Sequence, residues 1–351
     1  MNIQAILEKA VIEKASDLFI VAGRGISTRE NGTIRQIEDI RLTPEDTEHL
    51  LRGIYDLARR DIHTLEQKGD DDFSFAIQGL SRFRVSAYKQ RGTYSAVIRI
   101  ITFELPNPDD LNIPQQIIRL GECKKGMVLI TGAAGSGKST TLACIIDHIN
   151  KTRQKHIITL EDPLEFLHRH EQSIVSQREI NVDTENYVTA LRAALRQSPD
   201  VVLLGEMRDY ETIDVAMTAA ETGHLLFSTL HTIGAANTID RIIDVFPANE
   251  QHQIAVQLSM VLTAVVSQQL VPTVDGTMTP AFEIMVVNPA IRNIIRDNKI
   301  PQLDGILYSS NNENLMSMDT SLFHLYQQGR ISKETALTYA TNPEMMKKKL
   351  Q

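Results

Sequence analysis

The chain carries two hydrophobic rhythms, one on either side of a short proline-rich stretch. Before it, Ile3, Ile6, Leu7, Ala10 and Val11 recur at helical spacing and predict a helix over residues 1–15. Short apolar runs at 18–22, 73–77, 83–88 and 95–101, set apart by glycine- and aspartate-rich turns, predict strands, with a helix near 44–60. That mixture describes a small α+β domain over 1–104. Leu105-Pro106-Asn107-Pro108-Asp109-Asp110 has the density of proline and polar residues of a linker, placed at 105–113, and Pro114 can open the next helix. From 114 to 351 apolar strand-like runs at 127–131, 157–160, 201–204 and 226–230 alternate with helical patterns, which predicts an α/β domain around a mainly parallel sheet, with a helical C-terminal portion. The most apolar stretch, 254–271, is interrupted by Gln257, Ser259, Thr263, Ser267, Gln268 and Gln269; we expect a packed helix there, not a membrane span.

Chemistry enters between the first strand and helix of the second domain. Gly132-Ala133-Ala134-Gly135-Ser136-Gly137-Lys138-Ser139 matches the pattern G-x-x-x-x-G-K-[ST], preceded by Met-Val-Leu-Ile-Thr and followed by Leu142, Ile145, Ile146 and Ile149 at helical spacing. Glycines at these positions let backbone N–H groups converge on phosphates. Lys138 can reach the β- and γ-phosphates, and the Ser139 hydroxyl can ligate Mg²⁺. A glycine-rich surface turn is the plain alternative, and the strand before and the helix after argue against it.

The other strands of that domain also end in polar residues, where open α/β sheets bind ligands. The second leads to Glu161, Asp162 and then Glu165; the third leads to Glu206; the fourth leads to His231. A carboxylate near a γ-phosphate can hold Mg²⁺ through water or orient and deprotonate the attacking water. Gly205 occupies the place where such a strand usually ends in aspartate, so Glu206 either combines both roles or shares them with Glu165. An acid taken singly is more often a helix cap or a solvated turn residue, and a single histidine at a strand end is often structural. Arginines could complete phosphoryl transfer: Arg84 and Arg99 alternate with apolar residues on first-domain strands, while Arg192 and Arg196, four positions apart, precede the Glu206 strand. A wet sheet face and a wet helix face explain the same residues more simply.

Composition narrows the classes. With 42% hydrophobic residues the chain can bury a core, and its net charge of −8 gives no broad surface for a nucleic-acid backbone, so no stable nucleic-acid binding is expected. Cys123 and Cys144, the only cysteines, exclude a four-cysteine zinc site and suggest no disulfide framework, which fits a reducing cytoplasm. The N-terminal residues mix acidic and polar positions among the apolar ones, unlike a signal peptide, so any membrane association should be peripheral.

Four segments together resemble a known family. Gly132 through Thr140, then Ile158-Thr159-Leu160-Glu161-Asp162-Pro163-Leu164-Glu165-Phe166, then Asp200 through Asp209, then Thr222-Gly223-His224 through His231-Thr232 are similar to the Walker A, Asp box, Walker B and His box of the secretion ATPases, the motors of type II secretion and type IV pili. Within that superfamily the resemblance is to the PilT-type retraction ATPases, and Ala290-Ile291-Arg292-Asn293-Ile294-Ile295-Arg296 is similar to an element associated with retraction. Ala133-Ala134 stand where Pro-Thr is usual in the loop. The resemblance implies a RecA-like P-loop ATPase core with a smaller N-terminal PAS-like domain, assembled as a homo-hexamer that uses ATP and Mg²⁺. It implies Gly132, Gly135, Ser136, Gly137, Lys138, Ser139 and Thr140 on the nucleotide, Ser139, Glu165 and Glu206 around the metal, directly or through water, Glu161, Glu165 and Glu206 in catalysis, and His231 near the nucleotide. Arg84 and Arg99 correspond to interdomain arginines of the family, Arg192 and Arg196 to a further pair. The implied partners are an inner-membrane pilus platform protein and, as functional counterpart, a pilus assembly ATPase, at the cytoplasmic face of the membrane. A pilus-assembly or type II secretion ATPase remains an alternative, as does, more remotely, a nucleic-acid-translocating ATPase of the same core.

Overall fold

The computed structural model describes residues 2–30, 33–37, 40–101, 105–310, 312 and 314–351. It forms two compact units, 1–104 together with 165–167, and 105–164 together with 168–351; Glu104, the expected end of the first domain, lies outside the described residues.

The N-terminal unit runs α1 (Ile3–Ile12), β1 (Asp17–Ile20), β2 (Ser27–Glu30), β3 (Thr33–Gln36), α2 (Pro44–Leu57), α3 (His63–Lys68), β4 (Asp70–Ile77), β5 (Ser81–Gln90) and β6 (Thr93–Ile101). Its strands form one sheet in the order β3-β2-β1-β6-β5-β4, antiparallel at every pair. The helical stripe read at the N-terminus is the buried face of α1, where Ile3, Ile6, Leu7 and Ala10 pack with Leu50, Leu51, Ile54 and Tyr55 of α2 against Leu18, Ile20, Phe83, Val85 and Ile98. α2 starts where Thr43 and Asp46 cap each other reciprocally and Pro44 takes the first helical position, a place where its missing N–H costs nothing.

The C-terminal unit continues with α4 (Gln115–Ile118), β7 (Gly126–Thr131), α5 (Lys138–Thr152), β8 (His156–Glu161), β9 (Ile174–Glu179), α6 (Tyr187–Ala194), β10 (Val201–Leu204), α7 (Tyr210–Glu221), β11 (Leu225–Leu230), α8 (Ala235–Asp244), α9 (Gln251–Val261), β12 (Leu262–Pro272), β13 (Met278–Val286), α10 (Pro289–Arg296), α11 (Gln302–Ser309), β14 (Leu315–Met316), α12 (Met318–Gln327), α13 (Lys333–Tyr339) and α14 (Pro343–Lys349). The sheet order is β14-β13-β12-β7-β11-β10-β8-β9, parallel from β12 to β9 and antiparallel at β13 and β14. Every residue of β7 is buried because the sheet is covered on both faces. Val128 and Ile130 pack beneath Leu142, Ile145, Ile146 and Ile149 of α5, whereas Met127 and Leu129 face the layer of α7, α8 and α9. Each of those α5 side chains contributes about 1.5–3 kcal/mol by leaving water, which anchors the helix that follows the glycine loop. The sheet is thus the α/β arrangement expected from the alternating pattern.

One expectation is overturned. Residues 254–271 are not a single helix: α9 ends at Val261 and β12 begins at Leu262. The β-branched pair Val265 and Val266 faces opposite layers, the period of a strand buried on both sides, and β12 lies between β7 and β13. Ser267 and Gln268, two of the polar residues in that stretch, are buried at the end of the sheet where β7 gives way to the glycine loop.

Candidate active site

Between β7 and α5 the chain turns through glycines with positive φ: Gly132 at 139°, Gly135 at 77° and Gly137 at 87°. At two of them Gln268 also crowds the place of a side chain, against its backbone at Gly132 and against its amide end at Gly137. A β-carbon on Gly132 would overlap the Gln268 carbonyl oxygen, and one on Gly137 would lie 2.9 Å from Gln268 Nε2. Lys138 is buried and donates from Nζ to the carbonyl oxygens of Gly132 (2.8 Å) and Ala133 (2.9 Å), so its charge stands inside the loop. The Ser136 hydroxyl is buried without a hydrogen-bond partner among the described residues. A narrow glycine cradle, an inward ammonium and a buried hydroxyl lacking a partner fit a polyphosphate. Ser139 and Thr140 follow Lys138 in the first turn of α5, and Ser139 is the hydroxyl that could reach a metal ion on that polyphosphate.

The parallel neighbours bring the acids to the same edge. β10 stops at Leu204, and Gly205 N–H donates to Leu160 O while Thr229 Oγ1 donates to Gly205 O, so the residue ahead of Glu206 is pinned to β8 and β11. Glu206 is itself buried, with the Arg208 guanidinium on Oε1 and His231 Nε2 3.3 Å from Oε2. His231, just past the end of β11, thus contacts this carboxylate from the next strand, and Arg208 holds its other oxygen. Glu161 closes β8, half-buried, with Gln177 Nε2 3.5 Å away. Glu165 is exposed and belongs to the short segment grouped with the N-terminal unit.

Three residues of this edge escaped the sequence reading. Tyr187, first in α6, sets its hydroxyl against Gly205, where a β-carbon would lie 2.8 Å from it. The phenol thus fills space that an aspartate at 205 would need, and burial together with Glu206, Asp162 and Glu161 pushes its pKa well above the ordinary phenol value. Gln268 holds the glycine loop as described and accepts a hydrogen bond from Thr141 Oγ1 at 2.7 Å. Glu283, on β13, accepts the N–H of Ala235 at the start of α8 at 2.7 Å; burial raises its pKa, and the backbone N–H groups of Ala235 and Met318 offset part of that rise. No motif marks these three. Gln268 and Glu283 belong to strands that the apolar pattern hid, and the signal for Tyr187 was the glycine at 205.

The arginines divide. Arg84 on β5 and Arg99 on β6 are direct cross-strand neighbours in the N-terminal sheet, and Arg99 Nε bonds Asp17 Oδ1 at 3.3 Å. Arg192 lines a cavity of about 650 Å³ with Asn186, Tyr187, Asp209 and Tyr210. Arg196 lies beyond the end of α6, so the two do not stand on one continuous helix face. Among the described residues no helix is long and apolar enough to cross a membrane.

Comparison with known proteins covers the chain as a whole. A family model described as Type II/IV secretion system protein matches residues 1–317. The chain is 42% identical over 346 residues to a "Twitching motility protein" of Neisseria gonorrhoeae, covering 98% of this chain and 92% of that one. It is 41% identical over 345 residues to the "Type IV pilus retractation ATPase PilT" of Pseudomonas aeruginosa, covering 98% and 99%. A crystal structure of the pilus retraction motor PilT with bound ADP superposes with a TM-score of 0.90 at 42% identity over 99% of both chains. The chain belongs to the type II/IV secretion system protein family.

Proposed function

We propose that the chain is an ATP-hydrolysing motor that powers type IV pilus retraction, working as a homo-hexamer with ATP and Mg²⁺ at the cytoplasmic face of the membrane. The observation that carries this reading is the joint presence, at one edge of a parallel sheet, of the glycine cradle with Lys138 and of Glu206 held by His231. The full-length similarity to a pilus retraction ATPase supports the pilus as the object of the work.

The chain's own groups divide the reaction in a simple way. Backbone N–H groups of 132–140 and the Lys138 ammonium bind the phosphates and draw charge toward the leaving side. Ser139, with Glu206 and Glu165 directly or through water, would hold Mg²⁺, which when bound neutralises charge between the terminal phosphates. Glu206 accepts the proton of the attacking water, and His231 keeps its carboxylate aimed. Glu161 and Tyr187 bound the space beside it. Arg84 and Arg99 offer adjacent guanidinium groups on a sheet face, which suits an anion supplied by another part of the assembly; Arg192 and Arg196 serve the same charge from α6 and the turn after it. The partners are an inner-membrane pilus platform protein that receives the stroke and a pilus assembly ATPase that does the opposite work.

Lys138→Ala should lower phosphate release from ATP by about a hundredfold or more. Hydrolysis at the parent rate would remove the site assignment. In cells, deletion should abolish twitching while surface pili accumulate; bald cells would instead identify an assembly motor.

A further inference from the structure

Two consecutive residues of β12 reach both loops of the site. Ser267 Oγ accepts the Gly234 N–H at 2.9 Å, in the loop that follows His231. Gln268 addresses the other loop at two glycines and the first turn of α5 at Thr141. Its carbonyl oxygen occupies the position a Gly132 side chain would need, its Oε1 takes the Thr141 hydroxyl at 2.7 Å, and its Nε2 faces Gly137, the residue before Lys138. Successive side chains of a strand point to opposite faces, so this dipeptide can hold two loops that leave neighbouring strands. Gln268 is 3% exposed, and its side-chain amide spans from the sheet to the first turn of α5.

We propose that Gln268 is a positioning residue for the triphosphate, holding the glycine loop open for anions and presenting a neutral N–H donor at its Gly137 corner, while Ser267 ties the His231 loop to the same strand. The proposal rests on the reading of 132–140 as a nucleotide cradle. Its chemistry is specific: the oxygen of the amide is engaged by Thr141, so the nitrogen is the atom left to face Gly137. A carboxylate of the same shape would keep the Thr141 bond and place beside the cradle a negative charge that repels the phosphates.

Gln268→Glu tests this, with Gln268→Ala as companion and binding of ATP and ADP measured by calorimetry on the full chain. Gln268→Glu should weaken ATP binding at least tenfold, about 1.4 kcal/mol, and more than it weakens ADP binding, because the triphosphate carries the extra charge. Gln268→Ala should weaken both nucleotides by a smaller factor. The melting temperature without nucleotide should fall for both variants because Gln268 is buried, while the upward shift caused by ATP shrinks more for Gln268→Glu than for Gln268→Ala. A merely structural residue would leave the affinity of the folded variants for ATP and ADP intact; that result, or parent-like ATP binding by a folded Gln268→Glu, overturns the proposal. Lys138→Ala separates the two readings. If it retains ATP binding, the cradle assignment fails; if it loses binding while Gln268→Glu keeps it, only the role of Gln268 fails.

Discussion

In the N-terminal sheet all neighbouring strands run antiparallel and the candidate residues, Arg84 and Arg99, stand within β5 and β6; in the C-terminal sheet six strands run parallel and the candidates stand at or beyond strand ends. An antiparallel meander alternates its strand ends between two edges, so it gathers polar groups on a face. Parallel strands all finish at one edge, so it is there that loops from β7, β8, β10 and β11 meet. Buried acids find partners in both units, Glu206 of the C-terminal unit with Arg208 and His231. The N-terminal unit pairs Asp17 with Arg29 and Arg99, and Asp71 with Arg60 and the Tyr55 hydroxyl. The C-terminal unit leaves His168 Nδ1 buried without a partner among the described residues.

If the parallel edge is the catalytic one, its glycine loop should tolerate least. Gly132→Ala would drive a methyl into the Gln268 carbonyl and force alanine to φ 139°, so we expect loss of ATP hydrolysis together with destabilisation of roughly 3 kcal/mol or more. Phosphate release and thermal melting check both. Glu206→Gln keeps the shape and removes the base: hydrolysis should fall about a hundredfold, with ATP affinity within roughly threefold of the parent. Retained turnover would move the base to another acid.

His168 makes a pH prediction. Burial pushes the His168 pKa down from 6.5 to about 4, so between those values the unfolded chain binds a proton that the folded chain refuses. Stability should therefore fall as pH drops from about 6.5 toward 4, by roughly 2–3 kcal/mol from this residue. His168→Gln should flatten that part of the stability curve; an unchanged slope would show that the imidazole is not kept neutral. The smallest expected effect on folding belongs to the antiparallel face. Arg84→Ala removes one of two facing cations, so melting should shift by no more than about 0.5 kcal/mol equivalent. Hydrolysis by the assembled protein should nonetheless fall about tenfold or more. Parent-like hydrolysis would leave Arg84 with a solvated sheet face as its whole explanation.

Short-range pattern was enough for the glycine cradle, for the four strands that lead to Lys138, Glu161, Glu206 and His231, and for the buried stripe of α1, because each is written in adjacent residues or one helical repeat. The break at Leu262 was not legible: an apolar run of that length reads equally as helix or strand, and only the vacant edge of β7 makes the strand form preferable by supplying hydrogen-bond partners. From that strand follows the role of Gln268, 127 residues from Thr141 yet hydrogen-bonded to it. Tyr187 is likewise set by distance in the chain, since the space over Gly205 exists only when α6 packs beside β10 and β8. The amino-acid order thus determined which chemistry the chain carries and where each strand delivers it. Tertiary packing decided which side chains hold that chemistry in place, because those contacts join segments that no local spacing relates.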